Sequence, residues 1–250
     1  MVTQASLETD LRALGIRPDA LLTVHTSLKA VGPVAGPKTG ADAVLDALLH
    51  CVDRGMLLIP AHTFRNIRED GPVFDIRRTM PCIGTLPRIA VGRANDAYDR
   101  GDDRCRRSCH VSHSVVAFGA GAAAFTEADR ASLTRTPMTG SYGALYREGG
   151  KILLLGVDLS RNTFLHAVDE AVDGTVYGTT VITVTDYDGS RYPKEERITR
   201  GPAAANFPRF RQPLEQAGAV VYGKAGCADA MLIDARRCFD TVYAIRRAEV

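Results

Sequence analysis

The chain alternates short apolar runs with amphipathic segments, and this alternation restricts it to the α/β class. Apolar runs with the length of buried strands occupy residues 21–25, 56–60, 114–118 and 151–157. Apolar residues at helical spacing occupy residues 40–53, 83–93, 122–133 and 141–148. We therefore predict a central mixed sheet flanked by helices.

The hydrophobic period changes to two in the last third of the chain. Residues 180–185 and 191–199 both alternate, and Asp188 and Gly189 form a turn between them, which predicts an antiparallel hairpin insertion. The pattern then predicts a helix, a strand and a final helix, at residues 206–217, 219–222 and 234–247. Since 45% of the 250 residues are hydrophobic and no linker or repeat divides them, we expect a single compact α/β domain over residues 1–250.

Charge and hydropathy exclude several classes of partner. Lys and Arg number 31 against 29 Asp and Glu, without a uniform basic face, so we expect no nucleic acid partner. The first residues lack the pattern of a secretory signal, and no apolar run approaches the roughly 20 residues of a membrane span. We expect a cytoplasmic protein with reduced thiols and no membrane partner, as a monomer or a homodimer.

His166 is the first candidate for chemistry. It follows the strand-like run 151–157 and a polar turn, and it lies in the first turn of a predicted helix, where the positive end of the helix dipole keeps an imidazole neutral and able to accept a proton. Asp169 and Glu170 come three and four residues later, on the same helical face, where either could fix the tautomer of the ring. The alternative is a packed histidine that caps a helix beside solvated acids.

Other polar segments lie where the predicted strands end, which is where open α/β sheets bind ligands. His25, Thr26, Ser27 and Leu28 lead into a Gly/Pro-rich loop, and their hydroxyls and amides suit either an extended ligand or a helix cap. His62, at the end of the second strand, is a candidate site residue or a strand-end hydrogen bonder. Neither a P-loop nor a Gly-x-Gly-x-x-Gly motif is present, which argues against nucleotide-dependent phosphoryl transfer and hydride transfer.

The segment from Cys105 to His113 contains residue types that zinc prefers. Cys105, Cys109, His110 and His113 fall within nine positions, but so short a segment rarely closes a tetrahedron, so we expect no metal. A metal-binding or redox module at this segment stays as a hypothesis of another class. Cys109 beside His110 is also the candidate nucleophile for an acyl-enzyme route.

Together these segments resemble the aminoglycoside 3-N-acetyltransferase family. The similar pieces, in chain order, are residues 25–28, 60–64, Phe74 and Asp75 with Thr79 and residues 83–86, residues 107–114, and residues 151–157 with 162–166. The last piece, a Gly-Val strand end followed by Asn162, Thr163 and His166, is the most specific. Two positions depart from the family pattern: Asp169 stands where Glu is usual, and Val111 stands where Pro is usual.

The resemblance implies an acetyl-CoA-dependent N-acetyltransferase acting on the 3-amino group of an aminoglycoside, in an α/β fold unrelated to the GNAT acetyltransferases. It implies His166 as the general base, supported by Asp169 or Glu170. Direct transfer is favoured, with the Thr163 hydroxyl or backbone amides near Thr26 and Ser27 as donors to the oxyanion. The residues implied at the acetyl-CoA site are Thr26, Ser27, Leu28, Val31, Gly32, Val34, Gly36, Ser108, His110 and Asn162.

A polycationic acceptor needs carboxylates near its pocket. Asp75, Asp169, Glu170 and Asp173 are the candidates, although Asp75 and Asp173 could merely cap turns. His62 and Phe64 are candidate acceptor-binding residues. An alternative function is the same acetyl transfer to a different amine in natural-product metabolism.

Overall fold

The computed structural model describes residues 1–38, 40–65, 71–199 and 203–250. The strands are β1 (Val2–Thr3), β2 (Leu21–Thr26), β3 (Val34–Ala35), β4 (Met56–Pro60), β5 (Val73–Asp75), β6 (Cys105–Arg107), β7 (Val115–Phe118), β8 (Lys151–Leu155), β9 (Val176–Thr185), β10 (Arg191–Thr199), β11 (Val220–Ala225) and β12 (Ala228–Asp234). The helices are α1 (Gln4–Ala13), α2 (Leu28–Val31), α3 (Gly40–Cys51), α4 (Thr85–Asp99), α5 (Ala122–Glu127), α6 (Ser141–Arg147), α7 (Phe164–Val172), α8 (Arg211–Gln216) and α9 (Ala235–Arg247), with 3₁₀ turns at Leu159–Arg161 and Ala204–Phe210.

A seven-stranded sheet in the order β11-β12-β8-β2-β4-β7-β6 forms the centre of the fold. Strand β2 pairs in parallel with both β4 and β8, whereas the remaining neighbours are antiparallel. The predicted mixed sheet flanked by helices is therefore confirmed. Because β2, β4 and β8 run in the same direction, the residues after Thr26, Pro60 and Leu155 emerge at one edge of the sheet.

The sheet separates two apolar cores, and β8 shows why its apolar run is continuous. Leu153 and Leu155 pack with α1, α3 and α4 on one face, whereas Ile152 and Leu154 pack with α6, α7 and α9 on the other. Successive side chains of a strand point to opposite faces, so a strand covered by helices on both faces must be apolar at every position. In the part of the chain that is described, no helix has both the length and the apolar character to cross a bilayer.

The predicted hairpin is formed by β9 and β10, and β5 adds to it as a third strand. Ile182 and Val184 on β9 pack with Phe74 in a third small core. Two inward-facing residues of β10 are charged, since Lys194 and Glu196 are buried. The alternating pattern located the hairpin but did not reveal these buried charges.

The structure differs from the predicted elements at two places. The helix predicted at residues 206–217 is a 3₁₀ turn followed by α8, because Pro208 and Pro213 lack the amide hydrogen that a continuous helix needs. Helix α5 ends at Glu127 rather than near residue 133, and the chain turns so that Asp129 accepts hydrogen bonds from the amide and hydroxyl of Ser141 at 2.8 and 2.7 Å. Helix α1 and strand β12 were not predicted.

Candidate functional site

A cavity of about 540 Å³ lies at the edge of the sheet where β2, β4 and β8 end. Five of the predicted site residues line it: Thr26, His62, Phe64, Thr163 and His166. The chain segments that follow three parallel strands thus meet at one place, as the rule for open α/β sheets predicts. His25 and His113 also line this cavity, and neither was assigned a role there from the sequence.

His166 lies in the first turn of α7 and borders the cavity, with its ring edge-on to Phe207 at 4.8 Å between centroids. Burial lowers the pKa of this imidazole to about 4, and the nearby positive charge of Arg135 acts in the same direction. The ring is therefore neutral near pH 7, as predicted, although the main cause is burial rather than the helix dipole.

Asp169 and Glu170 are engaged by other groups, so the predicted carboxylate support for His166 is not formed. Asp169 is 2% exposed and accepts a hydrogen bond from Nε of Arg246 at 2.9 Å. Glu170 accepts hydrogen bonds from the hydroxyl of Thr134 and from the amide of Thr136, the latter at 3.1 Å. Helix α7 directs one carboxylate towards α9 and the other towards the 134–136 segment, which corrects the expectation drawn from helical spacing.

A chain of polar side chains borders the cavity. The hydroxyl of Thr163 bonds to that of Tyr142, which in turn lies 2.7 Å from Nε2 of His62. The rings of His62 and His113 are 4.7 Å apart between centroids. Burial and the neighbouring imidazoles hold the pKa of both histidines well below the ordinary value of 6.5. Tyr142 is a member that the sequence reasoning missed, because it lies on α6, far from the recognised motifs.

Most residues implied at the acetyl-CoA site are structural. The Ser27 hydroxyl accepts a hydrogen bond from the amide of Ala30 at 3.3 Å and so caps α2, which was the alternative interpretation of this segment. Val31 and Val34 are buried in the core, and Leu28 packs against it. Thr26 is different, because its hydroxyl is buried, lines the cavity and has no hydrogen-bond partner among the described residues.

The two glycines implied at that site shape the loop. Gly32 has a φ of 84°, and a Cβ placed there would lie 3.1 Å from Sγ of Cys227. Gly36 also has a positive φ, of 137°. Both positions favour glycine for conformational reasons.

Ser108, His110 and Asn162 are also held in internal hydrogen bonds. The Ser108 hydroxyl accepts from the amide of Val115 at 3.0 Å, and Nε2 of His110 lies 2.8 Å from the carbonyl oxygen of Thr134. The side-chain oxygen of Asn162 accepts from the amide of Phe164 at 3.2 Å. These bonds fix local backbone, and none of the three residues is among the described residues that line the cavity of about 540 Å³. Nδ2 of Asn162 is buried without a partner among the described residues, and contact of these side chains with the donor stays a prediction.

The candidate carboxylates Asp75 and Asp173 stabilise turns. Asp75 accepts hydrogen bonds from the amides of Arg77 and Arg78 at 2.9 and 3.0 Å. Asp173 accepts from the amide and hydroxyl of Thr175 at 3.1 and 2.5 Å. Neither is among the described residues that line the 540 Å³ cavity, whose charged side chains are those of Arg65 and Arg161.

The cysteines and histidines of the segment from Cys105 to His113 are buried, and several of them form hydrogen bonds. Sγ of Cys109 lies 3.0 Å from the hydroxyl of Tyr192, and burial raises the pKa of the Cys109 thiol. Burial also raises the pKa of Cys105, to about 12. Both groups are thiols near neutral pH, which disfavours Cys109 as a nucleophile. Within residues 1–38, 40–65, 71–199 and 203–250, no three His, Cys, Asp or Glu side chains are arranged to hold a metal ion.

A second cavity, of about 790 Å³, is also lined by the segment that follows β8. Val157, Ser160 and Arg161 line both cavities and so form a shared wall. Gly156 precedes this wall with a φ of 67°, and a Cβ there would lie 2.4 Å from Cβ of Ala30. The positive φ and the close Cβ of Ala30 therefore require glycine at this position.

Comparisons with known proteins identify the family of the chain. The family described as aminoglycoside 3-N-acetyltransferase matches residues 23–245. Aminoglycoside N(3)-acetyltransferase III of Serratia marcescens is 36% identical over 186 residues, which are 66% of this chain. The matched part is 63% of that relative, so the chain spans less than two thirds of its length.

Two solved structures share the fold. AAC-IIIb in a binary complex with CoASH is 25% identical, with a TM-score of 0.79 and coverage of 99% of this chain and 97% of that one. AAC-VIa bound to sisomicin is 23% identical, with a TM-score of 0.78 and coverage of 99% and 98%. The second similarity concerns the fold alone.

Proposed function

The chain belongs to the aminoglycoside 3-N-acetyltransferase family, and from this we propose that it transfers an acetyl group from acetyl-CoA to an amine, with the 3-amino group of an aminoglycoside as the acceptor. The observation that carries the proposal is the neutral imidazole of His166 on the wall of a cavity at the strand ends. The donor proposal is supported by the CoASH complex of a protein with the same fold.

In this proposal His166 is the general base. Only the neutral form of an amine attacks a thioester, and the nitrogen must lose a proton as the new bond forms. Positioned acid-base help of this kind accelerates a reaction by roughly 10²- to 10⁴-fold. Because burial keeps His166 unprotonated, its ring has a lone pair available at neutral pH.

The carbonyl oxygen of the thioester gains negative charge during attack and needs a donor. The backbone amide of Ser27 already bonds to the carbonyl of Leu155 at 2.9 Å, so it is not the donor. The hydroxyl of Thr163 is engaged by Tyr142. The hydroxyl of Thr26 is buried at the cavity without a partner in the described structure, and we propose it for this role or for binding an amide of the donor.

A second candidate function is acetylation of a different amine. It is favoured by the charge of the cavity, whose described lining carries Arg65 and Arg161. Two guanidinium groups repel a polycation but attract an acceptor that carries a carboxylate or phosphate as well as its amine.

A direct assay separates the two functions. The purified chain is incubated with acetyl-CoA and a panel of deoxystreptamine aminoglycosides that includes sisomicin, and a second panel contains amino sugars and amino acids. We expect thiol release and addition of one acetyl group with members of the first panel. Activity on the second panel alone would show that the acceptor is an amine other than an aminoglycoside. The absence of activity on both panels would refute acetyl transfer.

A further inference from the structure

A buried carboxylate is connected to the cavity through two neighbouring residues of the 107–114 segment. Glu196, 1% exposed, accepts a hydrogen bond from the hydroxyl of Ser112. The oxygen of that hydroxyl lies 2.8 Å from Nδ1 of His113, whose ring lines the cavity. Nζ of Lys194, two residues away on the same face of β10, donates hydrogen bonds to the carbonyl oxygens of Cys109 and Asp129 and also interacts electrostatically with Glu196.

The hydrogen bonds fix the tautomer of His113. Because the Ser112 hydroxyl donates its only hydrogen to Glu196, its oxygen accepts from Nδ1 of His113. The hydrogen of the neutral ring is then on Nδ1, and Nε2 carries the lone pair. A carboxylate that acts through a hydroxyl on an imidazole also stabilises the cation formed when Nε2 takes a proton.

We propose that His113 is a second proton acceptor at the cavity, positioned by Ser112 and Glu196, and that it takes the first proton from the ammonium form of the acceptor. This inference rests on the proposed acetyl transfer. The reaction R–NH₃⁺ + CH₃CO–S–CoA → R–NH–COCH₃ + HS–CoA + H⁺ removes two protons from nitrogen. His166 takes the second and returns it to the sulfur as the C–S bond breaks, whereas His113 releases the first to water.

The surroundings of His113 bear on its protonation. The charged or titratable groups that face it are His62, His110, His166, Arg135 and, through Ser112, Glu196. Arg135 opposes a positive charge on the ring, and so does each of the three imidazoles when it is protonated, whereas Glu196 favours it. Removal of the Glu196 charge therefore leaves His113 with neighbours that only disfavour protonation.

The pH dependence of kcat/KM separates the two histidines. We compare wild type with His113→Gln, Glu196→Gln and His166→Ala from pH 6 to pH 10, using acetyl-CoA and sisomicin or whichever amine the panels identify. Below the pKa of the acceptor amine, His113→Gln and Glu196→Gln are expected to lose at least about tenfold in kcat/KM. The loss should disappear at high pH, where the amine is already neutral. The loss in His166→Ala should persist throughout.

The matched control is Glu195→Gln, which removes an exposed carboxylate from the adjacent position of the same strand. It should leave the profile unchanged. The proposal for His113 would be overturned if the loss of kcat/KM in His113→Gln and Glu196→Gln did not change with pH, or if these variants showed no loss at pH 7.

A second measurement does not depend on activity, and so distinguishes failure of this inference from failure of acetyl transfer itself. Nuclear magnetic resonance of ¹⁵N-labelled histidine should show His113 as the Nδ1–H tautomer in wild type. Glu196→Gln should change the nitrogen shifts of His113 and leave those of His50 unchanged. An Nε2–H tautomer in wild type would refute the relay, whether or not the chain acetylates an amine.

Discussion

Burial determines the chemistry of the individual histidines. Four imidazoles, those of His25, His62, His113 and His166, border one cavity, and burial lowers the pKa of each. Neutral rings can crowd together without the repulsion that four cations would have. The same arrangement supplies proton acceptors at neutral pH and makes the fold sensitive to acid.

The first prediction concerns catalysis by His166. We expect His166→Ala to lower kcat by at least about a hundredfold while acetyl-CoA still binds, because the variant removes the base without removing donor contacts. Thiol release gives the rate and titration calorimetry gives donor affinity. His50→Ala, at an exposed histidine of α3, is the control. Unchanged turnover in His166→Ala would exclude this ring from the reaction.

The second prediction concerns acid stability and His25. Its pKa is about 4 in the folded protein, because its ring is buried, against 6.5 for an ordinary histidine. The unfolded chain therefore binds more protons between pH 6.5 and pH 4, and the free energy of unfolding falls as the pH falls through that window. His25→Gln should remove about 2.5 kcal/mol of this pH dependence between pH 7 and pH 4.5.

Urea unfolding at the two pH values measures that difference. His50→Gln serves as the exposed control and should follow wild type. An equal decline in wild type and His25→Gln would show that protonation of this ring does not drive acid unfolding.

Helices α7 and α9 are connected by a charged contact that contributes to the free energy of unfolding. Asp169 of α7 is 2% exposed and accepts from Arg246 of α9 at 2.9 Å. Burial raises the pKa of Asp169 although Arg246 opposes the shift. The carboxylate therefore depends on its partner, and removal of the arginine leaves a buried charge unpaired.

We expect Arg246→Met to lower the free energy of unfolding by about 3 kcal/mol, because breaking a buried pair on one side is strongly destabilising. The double variant Asp169→Asn with Arg246→Met should recover part of this loss. Arg247→Met, at the neighbouring exposed position of α9, is the control. Chemical denaturation of wild type, the two single variants Asp169→Asn and Arg246→Met, the double variant and the control is the measurement, and additive effects of the two substitutions would contradict a coupled pair.

Most helices and strands, and the part of the site around His166, could be predicted from the sequence because they depend on local patterns. Hydrophobic period and turn residues report local structure, so β2, α3, β4, the hairpin and α9 were found close to their observed positions. His166 was found because its strand, turn and helix are contiguous. The contacts Arg246 to Asp169, Tyr142 to His62 and Glu196 to Ser112 join residues 77, 80 and 84 positions apart, and no local pattern reports such pairs.

The 540 Å³ cavity and the 790 Å³ cavity share part of their lining, in the segment that follows β8. Arg161 belongs to this shared lining. In the proposed reaction the donor is long and carries phosphates at one end and the thioester at the other. In that reaction the donor would extend from the histidine-lined cavity into the second one, and its phosphates would need a cation along that path. Arg161 is exposed and is placed to supply a charge-assisted hydrogen bond to a phosphate.

The last prediction follows from this placement. Arg161→Ala should raise KM for acetyl-CoA by about tenfold, since a hydrogen bond to a charged group contributes about 1.5 to 3 kcal/mol. S-acetylpantetheine has the same thioester but no phosphate, so its KM should be the same for wild type and variant. Steady-state thiol release with both thioesters tests the assignment. An equal rise in KM for the two donors would place Arg161 at the thioester or the wall itself, because only a contact that both molecules share could affect both.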